Sequence, residues 1–174
     1  YQQNVLSVME EVWHKEGERI DLVIFLNGIA IFTFELKCNT SGQNYEDAIR
    51  QYKFERDYKT RLLKFKAGCL AHFAMDLNEV YMCTNLRGKS SFFLPFNKGC
   101  GVGIHSGKGN PHNENGINVS YIWEDILKKD TVLYLIDKII FLQKESKKDP
   151  DTGKRVTKET LIFPRYHQFN AVRK

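Results

Sequence analysis

The chain has 174 residues, 42% of them hydrophobic and 27% charged, with a formal net charge of +5. That length fits one domain with a full hydrophobic core, and the balance is that of a globular rather than a disordered protein. No apolar run approaches the roughly 20 residues a membrane helix needs and no signal-peptide pattern opens the chain, so neither a membrane nor a secreted protein is expected.

The chain begins at Tyr1 without a methionine, so it is expected to be a piece of a longer protein. Its mild excess of Lys and Arg is compatible with nucleic acid. Cys38, Cys69, Cys83 and Cys100 are widely spaced and form no CxxC pair. They read as reduced thiols of a cytoplasmic protein, not as a zinc ribbon or a redox couple.

Val5, Val8, Met9 and Val12 recur at helical spacing and predict a helix over 1–15. The stretch GERIDLVIFLNGIAIFTFELK predicts a hairpin, with strands near 20–26 and 29–37 around Asn27-Gly28. After the polar turn CNTSGQN, an apolar stripe of Ala48, Ile49, Tyr52, Phe54 and Leu62 predicts a helix from Tyr45 to Lys66. HFAMDLNEVYMCTN and KSSFFLPF predict further strands, joined by turns at Leu77–Asn78 and Arg87–Gly88. NKGCGVGIHSGKGNPHNENG is too rich in glycine and polar residues for a regular element. IWEDILKKDTVLYLIDKIIFLQ predicts an amphipathic helix, or two with a break near Asp130, and the charged KESKKDPDTGKRVTKE reads as a surface loop or linker. LIFPRYHQFNAVRK turns apolar and aromatic again.

Three charges interrupt the apolar hairpin: Asp21, Glu35 and Lys37. Strand side chains alternate faces, so Glu35 and Lys37 share one, and Asp21 lies on the preceding strand at nearly the same height. Two carboxylates converging from adjacent strands, with backbone carbonyls nearby, make a hard oxygen site for Mg²⁺ or Mn²⁺. A lysine beside such a site can orient or help deprotonate a water and stabilise charge building on a phosphorane, which completes a set for phosphodiester hydrolysis. A strict two-residue turn at Asn27-Gly28 would pair Asp21 with Phe34 and put the acids on opposite faces. One bulge, or a three-residue turn, brings Asp21 opposite Glu35, so an odd residue is predicted here. The same charges also fit a strand-end salt bridge with two solvated positions.

IDLVIFLNGIAIFTFELK followed by AIRQYK resembles the nuclease motif of the restriction subunit of type I restriction-modification enzymes, a PD-(D/E)xK nuclease. The likeness continues in SSFFLPFNKG, GKGNPHN, SYIWEDILKKDTVLYLIDKIIFL and LIFPRYHQFNAVRK. It implies an α/β fold, a restriction-endonuclease-like mixed β-sheet flanked by helices. It also implies an endonuclease domain over 1–142, a charged linker or surface loop over 143–160, and the start of a truncated helicase-like motor over 161–174. The implied activity is Mg²⁺-dependent cleavage of double-stranded DNA by the N-terminal part of an ATP-driven translocating subunit. That subunit's partners are methylation and specificity subunits, and no membrane is involved.

Carried over by position, Asp21 and Glu35 match the metal-binding acids, with the backbone carbonyl of Leu36 a further ligand, and Lys37 matches the catalytic lysine. Gln51, at the start of the helix after the site, matches the glutamine of a QxxxY motif. The tyrosine position holds Glu55, with tyrosines at Tyr52 and Tyr58 instead. Glu10 or Glu11 on the first helix can add a carboxylate. Gln168 matches the glutamine that reads the adenine of ATP in the full-length subunit; without a phosphate loop, this chain cannot hydrolyse ATP alone. The alternative is a catalytically silent, nuclease-like module for DNA binding or assembly.

GIHSGKGN fails as a phosphate loop, because Val102 and Gly109 stand where the rule needs glycine and Ser or Thr. His105 and His112 read as loop surface residues and His72 as packed. In KFERDYKTRLLKFK, the residues Lys53, Arg56, Lys59 and Arg61 can track a DNA backbone, or form a helix face laced with pairs such as Glu55–Lys59.

Overall fold

A computed structural model describes residues 2–100, 108–148, 153 and 155–173. Residues 101–107 of the glycine-rich loop, including His105, lie outside the described residues.

The chain opens with three antiparallel strands, β1 (Leu6–Lys15), β2 (Glu18–Leu26) and β3 (Ile29–Leu36). The helix predicted over 1–15 is therefore a strand. Its valines suit a pleat as well as a helix, being β-branched. The turn at Glu16-Gly17, with Gly17 at φ +75°, folds β1 back along β2. β1 is an edge strand, and the supposed helical stripe is largely solvent-exposed: Val5, Val8 and Met9 stand outside, and Val12 is half-buried.

Helix α1 (Tyr45–Phe54) follows, started by Asn44 and Asp47 in a reciprocal capping box. The helix predicted to reach Lys66 stops at Phe54, and residues 55–68 run on as turns. The chain then re-enters the sheet as β4 (Ala71–Met75), parallel to β3, and continues through β5 (Val80–Cys83) and the very short β6 (Leu94–Pro95). The result is a six-stranded mixed sheet in the order β1-β2-β3-β4-β5-β6.

The segment after residue 120 is indeed broken. A π-helical turn, Ile122–Ile126, ends with the Leu127 amide bonded to the Ile122 carbonyl, and Lys128 is extended. Helix α2 (Lys129–Tyr134) then passes into a second π turn, Leu135–Ile139. The charged stretch expected as a linker or loop forms a two-stranded hairpin of β7 (Phe141–Lys148) and β8 (Arg155–Ile162). Helix α3 (Tyr166–Arg173) packs back on the body through Phe169, which is fully buried.

The sheet divides two cores. On one face, Phe32, Phe34, Phe73 and Met75 meet Phe96, Ile122, Leu135, Phe163 and Phe169. On the other, Val23 and Ala74 lie against Ala48, Tyr52, Leu63 and Leu86. Glu35 pairs in register with Ala74, and the Tyr52 hydroxyl lies 2.8 Å from Thr33 Oγ1. Helix α1 therefore covers the face that carries Thr33 and Glu35.

Candidate active site

The hairpin turn has two residues, as a strict Asn-Gly turn requires. Asn27 and Gly28 take φ +51° and +80°, and Leu26 pairs with Ile29. Past Phe25↔Ala30 the register slips, so that Ile24 pairs with Phe32 and Ile31 is the extra residue. Leu22 then pairs with Phe34, which puts Asp21 across from Glu35. The predicted odd residue is this bulge, and it turns both carboxylates to the α1 side.

The two acids sit in different surroundings. Asp21 is half-buried, and its Oδ2 accepts a 2.7 Å hydrogen bond from the Leu36 amide. Glu35 is fully buried; its Oε1 accepts from Arg56 Nε at 2.7 Å, while its Oε2 has no partner. Burial pushes the Glu35 carboxyl up to about 8, Arg56 pulls against that rise, and the neighbouring Asp21 charge adds to it.

Lys37 lies one residue past the end of β3, where its amide bonds to the Met75 carbonyl at 2.9 Å and prolongs the pairing with β4. Strand alternation assigns it the Glu35 side, and it also borders an apolar cavity of about 480 Å³ on the opposite side. Among the described residues no ion pair ties Lys37 to either acid.

Gln51 sits in the last turns of α1, not at its start; its side-chain oxygen is buried without a partner. Of the displaced tyrosines, Tyr52 is fully buried and bonded to Thr33, Tyr58 is half-buried, and Glu55 is the exposed residue that ends α1. Glu10 and Glu11 stand on strand β1, not on a helix. Register sets Glu11 beside Asp21, but its carboxylate pairs with Arg19 at 3.1 Å. Gln168 is exposed on α3 and accepts a 2.9 Å hydrogen bond from the Arg165 amide. His72 is buried against Thr33, with its ring held down to about 3 by burial.

Arg56 is the residue that sequence reasoning misplaced. Read as one of four cations tracking DNA, it instead has a side chain only 9% exposed and reaches Glu35. Nothing in a basic run separates one inward arginine from its solvated neighbours.

A divalent cation fits the chemistry of these donors. One buried Glu35 oxygen is without a partner, and Asp21 stands opposite. A strand residue's N–H and C=O project to the same edge, so the Leu36 carbonyl lies on the β2 side with its amide. Among the described residues no cluster of three or more His, Cys, Asp or Glu side chains gathers for a metal. Two carboxylates and a carbonyl suit Mg²⁺, which keeps several waters.

An acid and an acid-x-lysine on adjacent antiparallel strands, in a mixed sheet flanked by helices, define a restriction-endonuclease-like α/β fold. The family description "Type I restriction enzyme R protein N terminus" matches residues 1–91, and the chain belongs to that family. It is also 27% identical, over 186 aligned residues and 99% of its length, to a protein of Methanocaldococcus jannaschii named "Putative type I restriction enzyme MjaVIIIP endonuclease subunit". The chain spans 15% of that relative. No solved structure matches it significantly.

Proposed function

We propose that this chain is the endonuclease domain of a type I restriction subunit, hydrolysing phosphodiester bonds of double-stranded DNA with Mg²⁺, or Mn²⁺ in its place. The observation that carries this reading is the Ile31 bulge, which sets Asp21 opposite Glu35 and its buried, unpartnered oxygen. Asp21, Glu35 and the Leu36 carbonyl hold the cation. Bound there, it would lower the pKa of a water and neutralise phosphate charge. Lys37 orients the attacking water and offsets charge on the scissile phosphate. Gln51 positions water, phosphate or Lys37 from the overlying helix. Lys53, Lys59 and Arg61 contact the DNA backbone.

In the full-length subunit, a cytoplasmic protein on this reading, the segment from 161 leads into an ATP-driven motor and Gln168 meets the adenine. Methylation and specificity subunits complete the complex and choose its DNA. A silent, nuclease-like module is the second reading, favoured by Arg56, which already neutralises part of Glu35.

Calorimetric titration of Mn²⁺ and Mg²⁺ into the chain and into its Asp21→Ala and Glu35→Ala variants tests the choice. Binding by the parent and loss in both folded variants is the expected outcome. No binding by the parent, or equal binding by the variants, hands the case to the silent module.

A further inference from the structure

Arg56 has neighbours that fix its place. Beyond the end of α1, the chain is tied to the β1–β2 turn at three points. The Asp57 amide donates to Glu18 Oε2 at 2.7 Å, Lys15 bridges Glu18 and Asp57 at 3.0 and 3.3 Å, and the His14 ring lies 3.0 Å from Thr60 Oγ1. These ties follow directly after Arg56 and, with the end of α1 before it, hold its backbone beside the sheet, so the guanidinium reaches Glu35 as part of a clamped loop and not as a wandering surface side chain. The other Glu35 oxygen stays buried and unpartnered.

We propose that Arg56 is the resident counter-cation of Glu35 and limits how tightly the site takes a divalent metal. The inference rests on the metal-site reading above. A buried carboxyl with no opposite charge beside it is driven to its neutral form, and Arg56, 2.7 Å from Oε1, offsets part of that and lowers the cost of the ionised form a cation needs. The Glu35 side chain is fully enclosed, so packing holds it in place and the arginine's main contribution is its charge. When a divalent cation binds the free oxygen, that charge becomes a like-charge neighbour in a poorly solvated place, where repulsion is strong. Arg56 is thus a positioning residue that acts through Glu35.

The test compares the chain with Arg56→Gln and Arg56→Lys, by Mn²⁺ calorimetry and by thermal unfolding with and without Mn²⁺. Arg56→Gln is expected to unfold at lower temperature without metal, to bind Mn²⁺ at least about tenfold more tightly, and to gain more from Mn²⁺ in melting temperature than the parent does. Arg56→Lys retains a charge and is expected to bind within about threefold of the parent.

Should Arg56→Gln not fold, Glu18→Ala loosens the clamp from the surface and is expected to tighten Mn²⁺ binding by about threefold. A structural role alone would lower both melting temperatures equally and leave affinity unmoved. If the parent binds Mn²⁺ and the variants bind no better, the counter-cation role is overturned and the metal site stands. If neither parent nor variants bind, both readings fall. Binding by Arg56→Gln alone supports the counter-cation role and makes the parent chain the silent module of the second reading.

Discussion

The two faces of the sheet are built on different principles. The face away from α1 is aromatic and apolar: Phe34 stacks on Phe73 at 4.8 Å, and Phe32, Phe96 and Phe163 meet Phe73 edge-on at 5.8–5.9 Å. The face under α1 buries Thr33, Glu35 and His72 among its hydrophobic residues, and Tyr52, Gln51 and Arg56 reach in above them. The first kind of packing stabilises by area removed from water. The second retains polar groups whose burial is unfavourable unless each is partnered, and Glu35 Oε2 and Gln51 Oε1 are not. A stable face therefore supports a costly one, which is the division expected where a site is held rigid by its neighbours.

Phe73→Ala is the sharpest way to break the supporting face. Its ring is fully buried amid the other phenylalanines, so truncation is expected to cost about 3–5 kcal/mol in urea denaturation. Tyr52→Phe, on the site face, removes only the hydroxyl that meets Thr33 and is expected to cost about 1 kcal/mol. Equal losses from the two substitutions would mean that the faces are not energetically distinct.

Acidity probes the site face directly, because its two strongly shifted groups act with opposite sign. His72 is held at about 3, below its ordinary 6.5, so the unfolded chain binds the extra proton and stability is lost as pH falls below 6.5. Glu35 is raised from 4.5 to about 8, so the folded chain binds the extra proton and stability is lost as pH rises from 4.5 through 8. Between 4.5 and 6.5 the two slopes oppose each other. Denaturation in metal-free buffer is expected to show a broad maximum there, with limbs no steeper than about 1.4 kcal/mol per pH unit. Glu35→Gln should flatten the alkaline limb and leave the acid one. A profile that rises steadily to pH 8 would show that Arg56 keeps Glu35 ionised in the folded state.

Much of this arrangement was legible in the residues, and what was not has physical reasons. The hairpin, its turn and the extra residue followed from Asn27-Gly28 and from the demand that Asp21 and Glu35 share a face. The apolar positions of 5–12 fit two periods, and pairing with β2 decided between them, which a single segment does not reveal. Helix α1 was predicted too long because Leu62 continued an apolar stripe that belongs to a separate turn, where Leu63 enters the core. The β7–β8 hairpin was invisible because its residues are mostly polar or charged, and exposed, so strand pairing left no alternation of hydrophobicity to read. The relation of Lys37 to the acids depends on side-chain placement at a strand end, beyond what alternation fixes.

An effect as small as that of Tyr52→Phe is expected in the turn that starts the hairpin. Gly28 at φ +80° has nothing within 4 Å of where a Cβ would stand, so Gly28→Ala meets no clash and loses only the backbone freedom of glycine. A cost of about 1 kcal/mol is expected, since L residues resist this conformation. Asn27 is tied more firmly: its backbone amide donates to the Val5 carbonyl and its side-chain oxygen accepts from the Val5 amide, each at 2.8 Å. Those bonds lock the turn to the start of β1, so the strain of Gly28→Ala has little room to relax by shifting register. Mn²⁺ affinity should accordingly be unchanged in this variant, because the bulge at Ile31 lies between the turn and the acids. A fall in affinity alongside so small a loss of stability would show that the turn, and not the bulge, holds Asp21 against Glu35.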